Sequence, residues 1–159
     1  MKRLLLPLLA AIALPTTVNA EVTNDYILKV EQSKKLFSEG KFSEMKNICE
    51  ELIEISPDNP MGYVCKGIAL GFVSKNKRKS REAIKNFTKA IEINPEYNEA
   101  YFFRGLLQFT MRRREDSGTA RTACKDMSKA YFNNYPPALE YVKKNKPFLK
   151  GECYQFIDE

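Results

Sequence analysis

The stretch Glu44 to Gly67, EMKNICEELIEISPDNPMGYVCKG, falls without a gap on Glu82 to Gly105, EAIKNFTKAIEINPEYNEAYFFRG, at a step of 38 residues. Ile53-Glu54-Ile55, Pro57, Tyr63 and Gly67 meet Ile91-Glu92-Ile93, Pro95, Tyr101 and Gly105. A fixed period of this size restricts the chain to a stack of small units, each too short to bury its own apolar face and each completed by its neighbour.

The unit is helical. Met45, Ile48, Cys49 and Leu52 in one copy, and Ala83, Phe87, Ala90 and Ile91 in the other, recur at steps of three and four, which places them on one buried helix face. Pro57 and Pro95 end these helices, because a proline lacks the amide donor and disfavours helical backbone in the residue before it. A second helix begins near Pro60 or Asn98. Gly67 and Gly105 then lie inside helices, where glycine costs about 1 kcal/mol relative to alanine, so each marks the close approach of a neighbouring helix. Glycine is sparse and Lys, Glu, Ala and Leu are plentiful, a composition that suits helices better than a sandwich or barrel.

These residues resemble the tetratricopeptide repeat, a helix-turn-helix unit of about 34 residues. Tyr101 and Gly105 look like the aromatic and glycine that open a unit. Ala83, Phe87, Ala90 and Pro95 look like the alanine, aromatic, alanine and proline of its second helix. Gly40-Lys41-Phe42 is similar to the short turn between the two helices, with Met45 and Cys49 standing where the family has an alanine and an aromatic. The resemblance covers residues 24 to 135 and implies an all-α fold: a right-handed α-α superhelix of about three units, at 24–59, 60–97 and 98–135. The third copy is degenerate, with Ala120, Ala123, Met127 and Ala130 on one face of its second helix. Pro136-Pro137 opens a capping helix expected to end before Pro147, followed by a tail at 148–159.

The first 20 residues read as an export signal rather than as part of this domain. Lys2 and Arg3 form a positive head, Leu4 to Leu14 an apolar run, and Val18-Asn19-Ala20 a small-residue cleavage site before Glu21. The run is shorter than the roughly 20 apolar residues that a spanning helix needs, and Pro7 and Pro15 interrupt it. Cleavage leaves residues 21–159 in the periplasm or another extracytoplasmic compartment of a bacterium, with a mildly basic balance and no membrane-spanning segment.

An exported chain with four cysteines invites disulfides. Cys49 and Cys65 lie eight residues before and after Pro57, so two antiparallel helices joined there bring them to one height. Cys124 and Cys153 are then left to each other, stapling the tail to the last unit. The competing reading of Cys49 is a small buried apolar residue.

Catalysis finds little support. The chain has no histidine, which removes the usual general base, the commonest zinc ligand and the His-activated nucleophiles. No phosphate-binding glycine loop or dinucleotide fingerprint occurs, so no cofactor and no metal is expected. Glu50-Glu51 and Asp158-Glu159 read as solvated charge.

Binding is the expected role. In the family resembled here, the first helix of each unit lines a concave groove that holds a peptide. Carried onto this chain, the groove shows Val30, Lys34 and Phe37, then Val64, Ile68 and Phe72, then Phe102, Leu106 and Phe109. The subclass that grips acidic C-terminal peptides uses lysine and asparagine at such places, and Val30, Val64 and Ile68 depart from it. Such an apolar face takes either a protein or peptide partner or this chain's own Phe148, Leu149, Tyr154, Phe156 and Ile157. A second surface is basic: Lys75, Lys77, Arg78, Lys79 and Arg81, with Arg112, Arg113 and Arg114, are expected in inter-helix loops on one rim. That rim suits an anionic polymer or membrane surface, or serves solubility alone. Nucleic acid is disfavoured, since no aromatic is interleaved with these charges and export removes the chain from it.

Overall fold

The computed structural model describes residues 16–72, 76–111, 117–149 and Cys153, and among them it contains seven helices and no strand. These are α1 (Thr16–Ser38), α2 (Phe42–Ile55), α3 (Pro60–Gly71), α4 (Lys77–Ile93), α5 (Asn98–Met111), α6 (Ser117–Phe132) and α7 (Pro136–Leu149). Each helix packs on its neighbours in sequence, and α3 also touches α5, one unit further on. This nearest-neighbour pattern is that of an all-α solenoid. None of the described helices is long and apolar enough to cross a membrane.

The turns follow from local chemistry. Gly40 takes φ 69°, a left-handed conformation that glycine adopts without strain. From there the amide of Lys41 donates to the Leu36 carbonyl and that of Gly40 to Phe37, closing the end of α1. The turn before α7 repeats this geometry with Asn134 at φ 57°, and the Tyr135 amide donates to Ala130. At the start of α3 the Asn59 side chain accepts from the Met61 amide, with Pro60 as the first helical residue.

Met45, Cys49, Leu52, Ala83, Phe87 and Ala90, the periodic faces of α2 and α4, are all buried in one core that runs from α1 to α5. Two smaller clusters continue it, one of Phe109, Ala123, Cys124, Met127, Val142 and Cys153, the other of Phe102, Ala130 and Ala138. Gly67 and Gly105 sit where helices touch. A Cβ on Gly67 would lie 2.5 Å from Cε1 of Phe87, and one on Gly105 would lie 2.8 Å from the Ala123 carbonyl oxygen.

Two expectations are corrected. The run Lys77, Arg78, Lys79 and Arg81 is not loop but the opening turns of α4, capped by the Asn76 side chain, which accepts from the Arg78 amide at 2.9 Å. Lysine and arginine propagate a helix well once such a cap exists. The last helix does not stop before Pro147 but continues to Leu149. A proline so near a helix end removes a single ladder bond there. Of the expected leader, only Thr16–Ala20 belongs to the described residues, as the beginning of α1.

Candidate functional site

The first helices of the three hairpins, α1, α3 and α5, share one face, and between them lies a cavity of about 220 Å³. Ser33, Lys34 and Phe37 of α1 form one wall, Met61, Val64, Cys65 and Ile68 of α3 the floor, and Glu99 and Phe103 of α5 the other wall, with Met45 of α2 beneath. Lys34, Phe37, Val64 and Ile68, four of the nine expected groove residues, meet here. Val64 and Ile68 are buried, whereas Phe37 is 47% exposed and rests edge-on against Phe42 at 6.0 Å.

The other five lie elsewhere. Val30 is half-buried against the main core, and Phe72 sits at the end of α3 with its ring edge-on to Phe103 at 5.9 Å. Leu106 packs against the cluster of Phe102, Ala130 and Ala138. Phe102 and Phe109 are corrected, because neither lines the cavity and both are buried in the two C-terminal clusters. Tyr135 and Tyr141 cover Phe102 at ring distances of 5.7 and 6.0 Å, and Phe109 belongs to the core around Cys124 and Cys153. The third unit has α7 stacked beyond it, and that helix hides the face that its predecessor leaves open.

Glu99 and Phe103 take the places expected for Phe102 and Leu106. They lie four residues apart on α5, and the 38-residue step carries them onto Met61 and Cys65, so the internal repeat holds the signal that finds them. Glu99 stands in the first turn of α5, where the helix dipole favours a negative charge. Burial nonetheless holds its carboxyl above the usual carboxylate range, against the opposing effects of the Tyr97 hydroxyl and the Lys34 charge. The Tyr97 hydroxyl lies 3.4 Å from Glu99 Oε2 and 3.3 Å from Met61 Sδ. Burial and the nearby carboxylate push the phenols of Tyr97 and Tyr135 upward, and burial alone does so for Tyr26, whose buried hydroxyl has no partner among the described residues.

Two disulfides staple the helices, one at this cavity and one in the cluster around Phe109. Cys49 of α2 is bonded to Cys65 of α3, with Cα atoms 5.4 Å apart, and Cys124 of α6 to Cys153, at 5.3 Å. The first bond joins the helices at the cavity floor. Arg104 braces the next interface: its guanidinium donates to both carboxylate oxygens of Asp126, at 2.7 and 2.8 Å, and to the Thr88 hydroxyl at 3.1 Å, tying α4, α5 and α6 together.

Of the basic rim, Lys77, Arg78 and Arg81 are exposed, Lys79 is half-buried, and none pairs with a carboxylate among the described residues. Lys75 and Arg112, Arg113 and Arg114 lie outside the described residues, as do the side chains of Phe148, Leu149, Tyr154, Phe156 and Ile157. No group of three or more Cys, Asp or Glu side chains able to hold a metal gathers among the described residues.

Residues 68–97, from the second half of α3 through α4 to Tyr97, match the tetratricopeptide repeat family. Two solved structures share the fold. The first TPR of Spaghetti (RPAP3) bound to the HSP90 peptide SRMEEVD is 21% identical with a TM-score of 0.61, over 79% of this chain and 94% of that one. The second TPR of the same protein, bound to the same peptide, is 20% identical with a TM-score of 0.57, over 71% and 97%. The chain is thus similar in fold to tetratricopeptide-repeat solenoids. No curated protein matches it in sequence.

Proposed function

We propose that this chain is a non-catalytic protein-interaction module, an exported scaffold or assembly factor that holds a peptide or protein in the groove between α1, α3 and α5. The observation that carries this reading is the cavity of about 220 Å³ on the shared face of those helices. It is smaller than the roughly 300–1,000 Å³ of typical small-molecule sites, and suits side chains projecting from a docked segment. Similar folds hold a peptide, as their descriptions state. Their peptide is acidic, whereas the cavity here is walled by Phe37, Met61, Val64, Ile68 and Phe103.

Export is supported by the charged head and apolar run of residues 1–20 and by two disulfides, which persist in oxidising compartments. The working protein then begins at Glu21, with units at 24–59, 60–97 and 98–135.

The test is fluorescence anisotropy of labelled peptides selected on the full chain, repeated with Phe37→Asp and with Phe132→Asp. Phe132 is 50% exposed on α6, away from the cavity. Loss of binding with Phe37→Asp alone supports the groove, and equal binding by all three proteins refutes it. A rival reading, an anionic polymer or membrane surface docking on the basic rim, is favoured by Lys77, Arg78 and Arg81, which are exposed and pair with no carboxylate among the described residues. It requires affinity for anionic vesicles that collapses between low and moderate salt.

A further inference from the structure

The peptide-binding reading leaves one member of the cavity unexplained. Among the described residues Glu99 is the only carboxylate lining it, and apart from Ser33 and Lys34 the lining is apolar. Its one hydrogen bond among the described residues comes from the Tyr97 hydroxyl at 3.4 Å, a long contact, and that hydroxyl lies equally near Met61 Sδ. No lysine or arginine among the described residues lies within ion-pair distance of Glu99. Lys34 lines the same cavity, but its ammonium is held by Glu31 at 2.7 Å, one turn away on its own helix. The carboxylate is thus partly removed from water with little in return, a state that its upward pKa displacement reflects.

We infer that the groove's occupant is a peptide segment that places one lysine or arginine side chain against Glu99, with apolar side chains on either side. This rests on the groove being a peptide site and adds the chemistry that selects the peptide. An incoming ammonium or guanidinium supplies the missing counter-charge at the point where the walls already exclude water, where a charge-assisted hydrogen bond is strongest. The flanking side chains meet Phe37, Val64, Ile68 and Phe103, and the unbranched side chains of Met45 and Met61 adapt to their shape. An acidic segment of the kind seen on the similar folds would instead set like charge against Glu99.

The experiment uses the full chain and an array of short synthetic peptides, in which a central Lys, Arg, norleucine or Glu is flanked by Leu, Phe and Met in all combinations. Wild type, Glu99→Gln and Phe37→Asp are compared, each checked for folding by circular dichroism. The expected result is that Lys- and Arg-centred peptides bind wild type about tenfold more tightly than their norleucine counterparts, and Glu-centred ones more weakly still. Glu99→Gln levels the Lys and norleucine affinities while retaining apolar binding, and Phe37→Asp weakens all of them together. Norleucine peptides that match Lys peptides on wild type, or a Lys preference that survives Glu99→Gln, overturn the inference while leaving the groove intact. Binding by no peptide, or binding indifferent to Phe37→Asp, overturns both.

Discussion

Gly67 lies against the ring of Phe87 so closely that a Cβ there would come within 2.8 Å of three ring carbons. Phe87 cannot retreat, since it is fully buried and stacked on Phe103 at 6.2 Å. Alanine at position 67 regains about 1 kcal/mol of helix propensity, but overpacking costs typically 1–3 kcal/mol. Gly67→Ala is therefore expected to be destabilising by roughly 0–2 kcal/mol net, read as a lower urea midpoint at unchanged slope. Gly105→Ala is expected to cost more, because the obstacle there is the backbone carbonyl of Ala123, which has no rotamer to change. A midpoint at or above wild type for Gly105→Ala would refute the close packing of α5 on α6.

Arg104 and Asp126 join the two helices of the last unit, α5 and α6, with Asp126 only 8% exposed. Removing one partner leaves the other charge buried, at a cost of about 3–5 kcal/mol, whereas exchanging both for apolar residues is often close to neutral. Asp126→Leu alone is thus expected to be severely destabilising, and Arg104→Met with Asp126→Leu to recover most of the loss. A double-mutant cycle on urea midpoints measures it, and simple additivity would show that the pair contributes nothing.

The positions legible in the sequence were those where one local rule decided the outcome. Pro57 and Pro95 marked helix ends, the 38-residue step marked the stacking, and equal distances from Pro57 brought Cys49 level with Cys65. The face that α5 turns to the cavity was not legible. Phe102 and Phe103 are adjacent apolar residues, and only the arrival of Tyr135 and Tyr141 from the α7 side decides which one is covered. The basic run that opens α4 was not legible as helix for a similar reason: its charges suggested a loop, while a single asparagine at position 76 suffices to start the helix.

The disulfides close loops of different length, with sequence separations of 16 and 29. Loop-closure entropy assigns them about 3 and about 3.5 kcal/mol, with the mechanism model-dependent. Replacing Cys124 and Cys153 together by alanine is expected to lower the unfolding midpoint while leaving the α1/α3/α5 cavity competent for peptide. Replacing Cys49 and Cys65 is expected to lower both midpoint and peptide affinity, because that bond joins the helices at the cavity floor. Thermal melts and anisotropy on the two variants decide the matter, and equal affinities would show that the cavity holds its shape without the bond.

Glu99 gives the pH dependence a definite sign. Its folded pKa is raised by burial, so between the ordinary carboxylate value and the raised one the folded protein holds a proton that the unfolded chain has released. Above that window the ionised carboxylate opposes folding, and the penalty is relieved as pH falls through the raised value. Glu50, held below its usual value by hydrogen bonds from Lys46 and Lys66, works the other way, and its contribution is lost as pH falls. The net profile therefore mixes both, and only the difference between wild type and Glu99→Gln isolates the groove carboxylate. That variant is expected to be more stable than wild type at neutral pH, with the advantage shrinking as pH falls through the raised value and gone below about pH 4, where the carboxyl is protonated in both states. Urea midpoints for the two proteins at matched pH values measure the difference. A variant that is less stable than wild type at neutral pH would mean that Glu99 is already well paired in the free protein, and the counter-charge argued for the occupant would lose its reason.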